Sequence, residues 1–97
     1  MLESKKFSIY KKAISSFGKV AQMIVAIEEC SELQKELTKA LRGKVNLLGI
    51  AEEIADIEIM LEQLKLIFDN AQEVEKFKNA KIIQLNKTLR SMNKSQE

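Results

Sequence analysis

The chain has no proline, no histidine and no tryptophan, one cysteine, and only three glycines among its 97 residues. Proline and glycine are the strongest breakers of regular structure, so long uninterrupted helices are permitted. Missing histidine removes the commonest general base and the commonest transition-metal ligand. A Ser-His-Asp triad, a histidine-rich zinc site and a Glu-x-x-His iron site are therefore excluded. Cys30 stands alone, which rules out an internal disulfide or a CxxC centre and fits a reducing cytoplasm. No apolar run approaches the ~20 residues of a membrane span, and the N-terminus lacks a signal-peptide core. The expectation is a cytoplasmic protein with no membrane partner.

What is present is 45% apolar side chains and an almost even charge, sixteen Lys and Arg against fourteen Asp and Glu. The balance conceals a pattern. Residues 1–19 hold five lysines and one glutamate, and residues 76–97 hold six basic residues and one glutamate. Between them, residues 28–75 hold twelve acids and five bases. Either the basic ends neutralise the acidic middle on folding, or the middle holds cations while the ends meet phosphates. Nucleic acid is not an expected partner, because the basic ends lack interleaved aromatics and a recognition-helix pattern.

Hydrophobic periodicity predicts a single all-α domain of about four helices spanning residues 1–97. Phe7, Tyr10, Ile14 and Phe17 mark a short first helix over 1–15. Ser15 and Ser16 offer N-cap oxygens for a second helix that runs to Arg42, where Gly43 suits a left-handed cap. Its apolar stripe is Met23, Ile27, Cys30, Leu33, Leu37 and Leu41, which places Cys30 in the core as an inert thiol. Asn46 caps a third helix with the stripe Ile50, Ile54, Ile57, Leu61, Leu64 and Phe68, although Gly49 weakens its first turn. Asn70 with Glu73 resembles a capping box for a fourth helix to Met92, followed by a frayed polar tail over 93–97.

The carboxylates carry the functional signal. Glu29, Glu32 and Glu36 lie beside Gln22 on a flank bordering the apolar stripe of the second helix, with Glu29 nearest to it. Glu53 projects into the apolar sector of the third helix and Asp56 sits at its edge. Most helical glutamates face solvent. An ionised carboxylate turned inward costs several kcal/mol unless a cation or hydrogen-bond donors compensate. Two i,i+3 carboxylate pairs on successive antiparallel helices form an all-oxygen cage suited to Mg²⁺ or Mn²⁺. Lys78 and Lys81 fall within the apolar face of the fourth helix, opposite these acids. They either form salt bridges with them or meet the phosphates of a metal-bound ligand.

The run Glu28-Glu29-Cys30-Ser31-Glu32, followed after twenty residues by Glu53-Ile54-Ala55-Asp56, resembles the EExxE…ExxD signature of the MazG-like proteins. These belong to the all-α nucleoside triphosphate pyrophosphatase superfamily. Phe17-Gly18-Lys19, Gln22, Leu33 and Arg42-Gly43 fit the same pattern, and the likeness covers roughly residues 15–90, most like the small phage-associated members. The resemblance implies Mg²⁺-dependent hydrolysis of a nucleoside triphosphate to the monophosphate and pyrophosphate. By position it makes Glu29, Glu32, Glu53 and Asp56 metal ligands, Lys81 and Lys78 phosphate contacts, and Gln22 a contact to base or sugar. It also implies a homodimer or homotetramer. With no histidine, the proton must go to a carboxylate, for which Glu29 is the candidate, or to hydroxide on the metal. One departure stands out: many relatives carry an arginine three residues after the lysine, where this chain has Gln84. A second reading follows from it, a catalytically degenerate helical module that binds a nucleotide or a partner protein. A third keeps the superfamily with phosphoribosyl-ATP as substrate, against which the phage-like surroundings of the motifs argue.

Overall fold

A computed structural model describes the backbone of residues 2–95 and the side chains of residues 5–93. The expectation of an all-α fold holds. Four helices follow one another: α1 (Leu2–Phe17), α2 (Lys19–Leu41), α3 (Leu47–Phe68) and α4 (Ala71–Ser95), with no strand among the described residues. Residues 96 and 97 of the expected frayed tail lie outside the described residues, and helical backbone continues through 93–95.

The helix ends are set by a few residues. The expected serine cap of α2 does not form. Ser15 lies inside α1, its hydroxyl donating to the Lys12 carbonyl at 3.1 Å, and the break falls at Gly18 instead. Gly18 adopts φ 95°, a conformation that costs a residue with a side chain, and it opens α2 with no side-chain cap. At the other end of α2, Gly43 has φ 87°, as its position after Arg42 suggests. The Gly43 N–H donates to Ala40 and the Lys44 N–H to Lys39, which closes a Schellman motif. Asn46 caps α3 by accepting the Gly49 N–H at 3.0 Å. A Cβ at Gly49 would fall 2.6 Å from the Asn46 Nδ2, so the glycine that weakens the helix on propensity is the residue that admits its cap. Asp69 ends α3 in the left-handed region at φ 50°, which aspartate tolerates better than most residues. The expected capping box at Asn70 is not made, since the Asn70 Oδ1 is buried without a hydrogen-bond partner.

Helices α2 and α3 form an antiparallel hairpin, α1 packs against both, and α4 meets only α3. The contact line of the hairpin is not the apolar stripe. Among the described residues only two apolar side chains are buried, Ala26 and Met60, and beside them lie two buried amides, Gln22 and Gln63. Gln22 Nε2 donates to Gln63 Oε1 across the hairpin. Of the expected α2 stripe, only Leu33 is half-buried; Met23, Ile27, Leu37 and Leu41 are exposed, and so is Cys30, which corrects its placement as a core thiol. On α3 the exposed members are Ile54, Leu61 and Phe68, while Met60, off the expected stripe, is buried. The hairpin meets along a line about a quarter-turn from its apolar stripes.

From Glu75 to Asn93, every residue of α4 is exposed, Lys78 and Lys81 included. They are not inward-facing in the single chain, because α4 engages the body at its first turn, where Val74 is half-buried.

Candidate carboxylate site

The inward line of α2 runs Gln22, Glu29, Glu36 at intervals of seven residues, two turns that return a side chain to almost the same direction. On α3 the facing line includes Glu53, Asp56 and Gln63. Near the middle of the hairpin these lines bring the carboxylates of Glu29, Glu53 and Asp56 together, with one oxygen from each within 4.8 Å of the others. All three are half-buried. Burial pushes the Glu29 carboxyl up to about 7, and hydrogen bonding and charge repulsion from Asp56, then Glu53, add to the shift. The group is thus close to half-protonated at neutral pH. One carboxylate oxygen of Glu53, Oε2, is buried with no hydrogen-bond donor.

Three of the four acids expected as metal ligands are therefore brought together and the fourth is not. Glu32 is exposed and pairs with Lys35 at 3.6 Å. Three residues from Glu29, it projects about 60° away from the inward line. Glu36 takes the inward position one turn further along: its side chain is 16% exposed, Oε2 is buried without a partner, and Oε1 accepts from Lys39 at 3.3 Å. The seven-residue spacing from Glu29 was the available signal for it. Gln63 was likewise missed, because a glutamine among apolar residues on α3 gives no periodic signal of its own. Gln22 lies on the same line as the acids, but its amide is engaged by Gln63. Lys78 lines a separate cleft of about 1150 Å³ between α1, α3 and α4, floored by Leu61, Leu64 and Phe68. Lys78 and Lys81 are both exposed on α4, and the acids that line the cleft with Lys78 are Glu58 and Glu62, not those of the cluster.

Hard divalent cations favour oxygen donors, and three convergent carboxylates with an unpartnered buried oxygen at Glu53 fit that requirement. Fold and site together define the class: an all-α hairpin protein with a half-buried carboxylate cluster at its centre. No protein-family model, curated protein or solved structure matches the chain. No helix among the described residues is long and apolar enough to cross a membrane.

Proposed function

We propose that this protein is a MazG-like, Mg²⁺-dependent nucleotide pyrophosphohydrolase that cleaves a nucleoside triphosphate to the monophosphate and pyrophosphate. The observation that carries the reading is the convergence of Glu29, Glu53 and Asp56, the acids that the sequence resemblance assigns to the metal. Mutual repulsion among three half-buried carboxylates is unfavourable for a merely structural hairpin, and a divalent cation relieves it.

In this reading Glu53, Asp56 and Glu29 would hold Mg²⁺, or Mn²⁺, while Glu32, paired with Lys35 outside the cluster, would act on the ion only from its surroundings. The ion, when bound, screens the triphosphate charge and favours ionisation of a water. Glu29, the carboxylate that borders the apolar stripe of α2, would act as general base. The water attacks the α-phosphorus, Glu29 takes its proton, and pyrophosphate leaves. Lys81, with Lys78, would neutralise phosphate charge from the exposed length of α4, outside the cluster of the single chain, and Gln22 with Gln63 forms the polar wall beside the cluster. The protein works in the cytoplasm as a homodimer or homotetramer.

The test is pyrophosphate release from a panel of NTPs and dNTPs with and without Mg²⁺. Release that needs Mg²⁺ and is lost in Glu53→Gln and Asp56→Asn supports the reading. Undiminished release in those variants sinks the site. No release from any triphosphate favours the degenerate module that Gln84 suggests, and calorimetry then decides whether nucleotide still binds.

A further inference from the structure

The α2–α3 hairpin has little apolar packing to fix its register. Among the described residues no side chain is wholly enclosed, and the buried apolar groups on the contact line are the small Ala26 and the flexible Met60. Interlocking side chains are what select one arrangement of two packed helices, and here they are few. The acids work against the register in which they meet. Glu29, Glu53 and Asp56 each bring an oxygen within 4.8 Å of the others, so in the metal-free chain a slip of one turn would relieve their repulsion. Another contact must hold the hairpin where the acids converge.

Gln22 and Gln63 are placed to do so. They are 6% and 4% exposed, and Gln22 Nε2 donates to Gln63 Oε1 across the hairpin. Gln22 precedes Glu29 by seven residues on α2, and Gln63 follows Asp56 by seven on α3. Two turns separate each amide from its acid, so in an antiparallel pair the amide bond and the Glu29–Asp56 contact belong to the same register. A slip of one turn, about 5.4 Å, would part the two amides and set Gln22 against the apolar Met60 or Ile67. A buried amide without a partner is costly, and the neutral pair brings no further charge to the acids.

We propose that Gln22 and Gln63 are positioning residues whose hydrogen bond locks the hairpin in the one register at which Glu29, Glu53 and Asp56 converge. Fixing register between helices is the best-attested role of buried polar groups, and it is one they fill at some cost in stability. The lock acts through the helices from about 10 Å along the axis, so neither glutamine touches the cation. This rests on the metal site of the reading above and deepens it. It assigns Gln22 to the hairpin rather than to a base or sugar.

The double variant Gln22→Leu, Gln63→Met of the full chain removes the lock without leaving an amide unpaired, so its denaturant midpoint should stay close to the wild-type value. Its affinity for Mn²⁺ alone, without nucleotide, should nevertheless fall at least about tenfold. Met60→Leu alters the same contact line without touching the hydrogen bond and should leave Mn²⁺ affinity nearly unchanged. A nitroxide on Cys30, which is exposed, reads the register without a metal. The pairing of Gln22 with Gln63 sets Ala55 opposite Cys30, so in the wild-type protein the label should broaden one set of α3 amide signals centred near Ala55. In the double variant the broadening should spread along α3 by at least one turn.

A double variant that keeps the wild-type set of broadened signals, or the wild-type Mn²⁺ affinity, overturns the proposal. So does a Met60→Leu protein that loses as much affinity as the double variant. A wild-type chain that binds no Mn²⁺ fails the metal reading alone, and the nitroxide pattern then decides the register. Should the double variant not fold, Gln22→Met with Gln63→Leu takes its place. If neither folds, the amides hold the fold itself rather than its register, and the proposal falls.

Discussion

Glu29 of α2 meets Asp56 of α3 carboxyl to carboxyl across the hairpin, and the Glu29 carboxyl titrates near 7 rather than near 4.5. In the metal-free protein the folded state thus binds more protons than the unfolded chain between pH 4.5 and about 7. Stability from this group is present below that window and is lost as pH rises through it. Thermal melts in chelator should show Tm falling from pH 5 to pH 7.5, and Glu29→Gln should flatten the dependence. A wild-type Tm that rises across the same window contradicts the placement of Glu29.

A cation reverses that slope. Mg²⁺ competes with the proton on Glu29, so its affinity should increase as pH rises through about 7, with proton release on binding. Calorimetry in two buffers of different ionisation enthalpy measures the released proton. Binding that is independent of pH between 6 and 8 would exclude Glu29 from the metal's surroundings.

The acids should divide by placement. Glu53→Gln and Asp56→Asn are expected to reduce pyrophosphate release by at least about 100-fold, as expected for groups that stabilise the transition state electrostatically. Glu32→Gln, exposed and beside Lys35, should cost about tenfold, the low end for a group that acts on a metal through its ligands. Equal losses at Glu32 and Glu53 would place the working site differently from the cluster described above.

Much of this arrangement was legible in the sequence, and what was not has physical reasons. The Asn46 cap and the Gly43 stop were readable because each depends on one residue's local chemistry. The break between α1 and α2 was not, because two serines made a plausible cap three residues before the glycine that breaks the chain. Periodicity found the apolar stripes of α2 and α3 but not their destination. A stripe marks the face a helix must cover, and within one chain the hairpin closes along Gln22, Ala26, Met60 and Gln63 instead. The same offset explains the acids: Glu29, Glu53 and Asp56 were found by their inward position, whereas the choice between Glu32 and Glu36 depends on which line meets α3.

The buried amides make a further test of packing. Gln22→Leu alone leaves the Gln63 amide buried and unpaired, which should cost about 1–3 kcal/mol by denaturant melts. Replacing both, Gln22→Leu with Gln63→Met, should recover most of that loss. A double variant as unstable as the sum of its singles would show that the two amides do not pair.

The account rests on the claim that the hairpin's carboxylates hold a divalent cation, and a Mn²⁺ titration followed by electron paramagnetic resonance at pH 8 tests it most directly. The wild-type chain should deplete the signal of free Mn²⁺ with saturable binding that Mg²⁺ competes away, and the Glu53→Gln, Asp56→Asn double variant should leave the signal at its protein-free level. Equal depletion by both proteins, or by neither, contradicts the claim.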